Sequence, residues 1–136
     1  MSKKRGFTLV ELMVVILIVS ILAAVAVPIM RGRIDAAKWS EGKAMAGTLA
    51  TALRAYAAEK GVNGTYGDET ALTLATLGFA NSDLTGTYFD VSDYSWTSAY
   101  DATADPALTF TITVDAPTGI TTPAAVTLNQ AGTWTP

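Results

Sequence analysis

Phe7-Thr8-Leu9-Val10-Glu11-Leu12-Met13-Val14-Val15-Ile16-Leu17-Ile18-Val19-Ser20-Ile21-Leu22-Ala23-Ala24-Val25-Ala26-Val27 is the stretch on which the architecture turns. Its 21 residues rise about 31 Å as an α-helix, which matches the hydrocarbon core of a bilayer. Only Thr8, Glu11 and Ser20 are polar. The six residues before it carry Lys3, Lys4 and Arg5. That basic flank predicts a cytoplasmic N-terminus, with the rest of the chain across the membrane.

Three readings of this segment compete. A secretory signal peptide would be cut near Ala24-Val25-Ala26, and a plain signal anchor would stay. Neither accounts for Glu11. A carboxylate within an apolar span costs about 2.5–3.5 kcal/mol and calls for a partner, and residues 12–27 offer none. Cleavage between Gly6 and Phe7 supplies one. The new α-amine would lie one helical turn from Glu11, and the two charges could neutralise each other within a chain or between staggered chains. In a low dielectric such a pair is strong, and an unpaired member is costly.

Lys3-Lys4-Arg5-Gly6-Phe7-Thr8-Leu9-Val10-Glu11-Leu12 resembles the processing motif of the type IV pilin and type II secretion pseudopilin family, closely over residues 1 to about 34. The resemblance implies cleavage after Gly6 by a membrane prepilin peptidase and N-methylation of Phe7. It also implies a role for Phe7 and Glu11 in filament assembly, through registration of subunits. The family's subunits polymerise as a helical filament, a homo-oligomer raised by an inner-membrane assembly platform that an ATPase drives. Pro28 falls where many members have a proline, and a kink is expected there. Ser20 stands where many members have a glycine that helps the helix loosen.

The helical pattern continues past Pro28 to about Lys60. Met45, Leu49, Ala52/Leu53 and Tyr56 recur at three- and four-residue steps and form an apolar stripe. Gly61 is the expected C-cap. Gly32, Gly42 and Gly47 lower helix propensity by about 1 kcal/mol each, and are read as a helix held in place by its sheet rather than as close-packing points. Asn63-Gly64-Thr65 marks a turn, and residues 69–77 read as a short helix with Leu72, Leu74, Leu77 and Phe79 beneath the head.

Strand signals occupy 87–91, 94–97, 107–114, 125–128 and 133–135. The clearest is 107–114, with Leu108, Phe110, Ile112 and Val114 on one face and Thr109, Thr111 and Thr113 on the other. Asn129-Gln130-Ala131-Gly132 is a hairpin candidate. The expected fold class is α+β. A long N-terminal helix, membrane-spanning in its first half and amphipathic in its second, packs on a small antiparallel sheet. The parts are a leader (1–6), a hydrophobic helix (7–30), its amphipathic half (31–61) and a globular head (62–136).

Composition narrows the function further. The 136 residues include no cysteine and no histidine, which removes disulfides, thiolate nucleophiles and imidazole bases. No enzymatic activity and no cofactor are indicated. All nine basic residues lie at or before Lys60, and the remaining 76 carry eight acids, so the head lacks the cationic footprint that nucleic acid requires. Asp90/Asp93 and Asp101/Asp105 lack the spacing of an EF-hand calcium loop, and no metal is expected. Loss of the leader leaves six basic and twelve acidic side chains. The expected function is a structural subunit of a type IV pilus. It begins as a single-pass precursor in the inner membrane and ends in an extracellular filament. The alternatives are a periplasmic pseudopilin, a minor pilin and, from another class, a membrane-anchored binding module. The Thr-, Ala- and Gly-rich tail favours the pilus.

Overall fold

A computed structural model describes residues 6–61 and 72–136. The turn expected at 63–65 and the start of the helix expected at 69–77 lie outside them. The chain divides into two units, Met1–Ile34 and Asp35–Pro136. Helix α1 runs Leu9–Tyr56 and is followed by a π-helical turn, Ala57–Gly61. It continues through Pro28 without interruption.

In the second unit four strands form an antiparallel sheet in sequence order: β1 (Tyr94–Tyr100), β2 (Leu108–Asp115), β3 (Ala125–Asn129) and β4 (Trp134–Thr135). The period-2 pattern of β2 sets which residues turn inward. Trp96, Ile112, Leu128 and Trp134 stand opposite one another across all four strands, as do Ser95, Thr113, Thr127 and Thr135 on the other face. Asn129 closes the β3–β4 hairpin. Its Oδ1 accepts from the backbone N–H of Ala131 and Thr133, each at 3.0 Å, and Gly132 takes φ +78°.

The inward face shares one core with α1. Trp39, Ala46, Leu49, Ala50 and Leu53 pack with Phe89, Tyr94, Phe110, Ile112, Val114, Val126 and Leu128. Leu49, Leu53, Ile112, Val114 and Phe89 are fully buried, which stabilises by about 1.5–3 kcal/mol per side chain. The stripe on α1 begins earlier than the hydrophobic pattern suggests. Asp35, Trp39 and Gly42 precede Ala46, Leu49 and Leu53 on the buried face, while Met45 and Tyr56 are half-buried at its border.

Three expectations are corrected. Residues 87–91 are not a strand. The N–H groups of Tyr88 and Phe89 donate to the Glu41 carboxylate of α1 at 2.8 and 3.1 Å instead of to a neighbouring strand. Asp90 then caps a short 3-10 turn, Val91–Asp93, by accepting from Ser92 N–H. Gly42 is a close-packing point, because a Cβ there would lie 2.9 Å from two carbons of the Phe89 ring. Gly61 is not a positive-φ cap, since among the described residues only Gly78, Gly119 and Gly132 have positive φ. Its missing Cβ makes room for the Tyr100 ring. Of the short helix at 69–77, the described part is a single turn closed by Leu77 N–H to Thr73 O and Phe79 N–H to Leu74 O. Leu74 is buried, and Leu72, Leu77 and Phe79 pack against the core as expected.

Candidate functional site

The candidate site is the N-terminal segment, beginning at Gly6 and Phe7. Both precede the helix and are exposed, Phe7 to 91%. A peptide bond outside regular structure and open to the surroundings is in the state a peptidase requires.

Thr8 starts the helix. Its N–H and its hydroxyl both donate to Glu11 Oε2 at 2.8 Å, and Glu11 N–H donates back to Thr8 Oγ1 at 3.3 Å. This is a capping box, in which the first-turn donors are satisfied reciprocally by the side chains of the cap and of the third helical residue. The negative carboxylate also lies at the positive end of the helix dipole. Glu11 therefore has a partner within its own chain. The signal for it, Thr-x-x-Glu ahead of an apolar run, is present in the sequence as Thr8 and Glu11. Glu11 Oε1 takes no hydrogen bond within the described residues.

Beyond Glu11, every large apolar side chain from Leu12 to Ile34 is exposed, most at more than half of its surface. The helix is long and apolar enough to cross a membrane. So large an apolar surface is not left in water and marks an interaction with lipid or protein. Ser20 Oγ donates to Ile16 O at 2.6 Å, so its hydroxyl is satisfied within the helix whatever surrounds it. Pro28 belongs to the same helix but makes no contact with Thr8 or Glu11, which lie more than four turns before it.

A family model for the prokaryotic N-terminal methylation motif matches residues 1–27. The chain carries the prokaryotic N-terminal methylation motif. Two fimbrial proteins are among its relatives. The chain is 42% identical to fimbrial protein EcpC of Eikenella corrodens over 59 residues, 43% of this chain and 39% of that protein. It is 45% identical to a fimbrial protein of Moraxella nonliquefaciens over 53 residues, 39% of this chain and 34% of that one. It thus spans about two-fifths or less of the length of these curated relatives. No solved structure matches. The α+β arrangement, one long N-terminal helix with a small antiparallel sheet, is pilin-like.

Four acids of the pilin-like head, Asp83, Asp90, Asp93 and Asp101, serve its turns. Asp83 accepts from Ala80 N–H, Asp93 from Asp90 N–H, and Asp101 from Thr103 N–H, each at 2.8 Å. Bonds to Ser92 and Thr103 hold the Asp90 and Asp101 carboxyls below the usual range. Among the described residues no three acids converge as a metal site would require.

Proposed function

We propose that this chain is the structural subunit of a type IV pilus, cleaved after Gly6 and polymerised through its N-terminal helix. The observation that carries the proposal is one carboxylate, with one oxygen that takes no hydrogen bond within the described residues, at the head of a helix whose large apolar side chains from Leu12 to Ile34 are all exposed. Exchanging lipid for neighbouring helices is nearly neutral per unit of apolar area, because lipid tails are as apolar as leucine. Polar terms must then set register and favour assembly. Cleavage by a prepilin peptidase turns the Phe7 amide into a cationic amine, and methylation leaves that charge in place. Thr8 holds one oxygen of Glu11, and the other meets the Phe7 amine of the adjacent subunit. The filament is a homo-oligomer, lifted from the inner membrane by an ATPase-driven platform and exposed at the cell surface.

Two substitutions separate charge pairing from helix capping. Glutamine can occupy the third position of a capping box but carries no charge, whereas alanine can do neither. Both Glu11→Gln and Glu11→Ala should insert and lose the leader, seen as the mass of the mature N-terminus. Both should yield few sheared fibres. Fibres at the normal yield from Glu11→Gln would show that Glu11 acts only as a cap.

A further inference from the structure

Six basic residues fall within the described part, and four of them are engaged. Lys38 Nζ donates to Gly119 O at 3.2 Å and stands over the Tyr88 ring. Lys43 stands over Trp134, Arg54 stands over Phe110 and donates to Gln130 O, and Lys60 pairs with Glu59. Arg31 and Arg33 are exposed and have no hydrogen bond, ion pair or ring contact within the described residues. Asp35 is four residues beyond Arg31, the spacing of a helical ion pair, yet its Oδ2 is committed to Thr121. The two free guanidinium groups follow directly on Met30, the last residue of the apolar run.

We propose that Arg31 and Arg33 bind the phosphate oxygens of anionic phospholipid headgroups and fix the depth of the helix in the bilayer before assembly. The proposal rests on residues 7–30 spanning the membrane. Arginine presents a planar fork of donors that matches phosphate, and its apolar stem lets the charge reach the interface from a helix end. The placement of the pair favours lipid over a protein partner. Residues two apart on an α-helix are separated by about 200°, so Arg31 and Arg33 leave from nearly opposite sides. Headgroups surround a spanning helix and can meet both, whereas a single docked protein surface meets one side. Gly32 between them adds no side chain and has open space where a Cβ would be. Removal of the leader takes away Lys3, Lys4 and Arg5, so in the mature subunit Arg31 and Arg33 are the first basic side chains and, apart from the Phe7 amine, the cations that flank the span.

The chain has no cysteine, so a fluorophore on Ile29→Cys of the full chain reports beside the pair. The protein is reconstituted into phosphatidylcholine vesicles that contain tail-spin-labelled phosphatidylglycerol or tail-spin-labelled phosphatidylcholine. Quenching should show a preference for phosphatidylglycerol of about five-fold per arginine, weakening as salt rises. The double variant Arg31→Gln/Arg33→Gln should lose that preference while its helix content is unchanged, and Arg31→Lys/Arg33→Lys should keep most of it. A glutamine pair that retains the preference overturns the proposal. So does a wild-type chain without the preference whose glutamine variant fails to form fibres, which would place the arginines in a subunit contact. Quenching by aqueous iodide but by neither lipid would instead overturn the membrane-spanning assignment itself.

Discussion

Gly42→Ala and Gly47→Ala make the same chemical change on the same helix, five residues apart, and should move stability in opposite directions. Alanine in place of glycine within a helix gains about 1 kcal/mol of propensity. Gly47 has nothing within 4 Å of the new Cβ, so that gain should appear undiminished. At Gly42 the Cβ would meet three ring carbons of Phe89 at 2.9–3.1 Å, well inside the roughly 3.5–4.0 Å of good packing. Phe89 is fully buried, with Trp39 and Tyr94 at ring centroid distances of 5.1 and 6.3 Å. It has no free side toward which to swing. Overpacking of this kind costs about 1–3 kcal/mol, which cancels the propensity gain and leaves a net loss of about 1 kcal/mol. The two variants should thus differ by about 2 kcal/mol. For a unit of this size that separates their melting temperatures by about 8–16 °C. Thermal unfolding of the full chain in detergent, followed by tryptophan fluorescence, measures it, since Trp39 lies against Phe89. A Gly42→Ala chain as stable as the parent would refute the close packing of helix and loop. An equal loss in both variants would point to the helix backbone rather than to Phe89.

The remaining predictions concern acid, the hairpin and the helix cap. Asp35 is held below the usual carboxyl range by hydrogen bonds from Thr121 N–H and Oγ1, and Glu41 by the N–H groups of Tyr88 and Phe89. Their folded pKa values lie below the unfolded ones, so their contribution is complete above about pH 4 to 4.5 and is lost as pH falls through the folded values. Acid titration followed by near-UV circular dichroism should show loss of tertiary signal below pH 4, and Asp35→Asn should flatten the curve and lower stability at neutral pH. Gly132→Ala forces a side chain into φ +78° and should cost about 1–2 kcal/mol, read as a lower urea midpoint at unchanged slope. Thr8→Ala removes the cap at the start of α1, a loss of about 0.5–2 kcal/mol of local helix stability. Amide exchange of residues 9–12 should quicken, while the leader is still removed.

The parts of the fold that were legible from sequence are those where local pattern and tertiary burial agree. Leu108, Phe110, Ile112 and Val114 alternate with threonines, and β2 forms with the expected face inward. Asn129 and Gly132 have the chemistry that their hairpin demands. Misreadings arose where a distant partner decides. Tyr88 and Phe89 look like strand residues, yet the carboxylate that takes their N–H groups is 47 and 48 residues away, a pairing that no window on 87–91 reveals. Gly42 looks like a weak helix position because the ring filling its space comes from Phe89. Asp35 obscures the first turn of the buried stripe, since a carboxylate reads as solvent-facing until Thr121 supplies its donors. In the N-terminal segment the apolar run is legible from composition alone, whereas the pairing of Thr8 with Glu11 is a capping pattern that a reading of Glu11 by its charge overlooks.

The polar groups of the first unit differ in what they do when the helix changes surroundings. Ser20 is satisfied by Ile16 O in lipid or protein alike, so it contributes nothing to the difference. The apolar side chains contribute little, because one greasy neighbour replaces another. What distinguishes bilayer from filament then falls on Glu11 at one end and on Arg31 and Arg33 at the other, with opposite signs. If both proposals hold, assembly gives the second oxygen of Glu11 a cation and takes from the two arginines the phosphates that held them. On this account loss of Glu11 removes the gain and loss of the arginines removes the restraint. The combined variant should therefore recover part of the fibre yield that the Glu11 substitution alone destroys. Recovery by the Arg31→Gln/Arg33→Gln pair but not by substitutions at Lys38, whose amine is engaged within the head, would tie the restraint to these two side chains rather than to net charge.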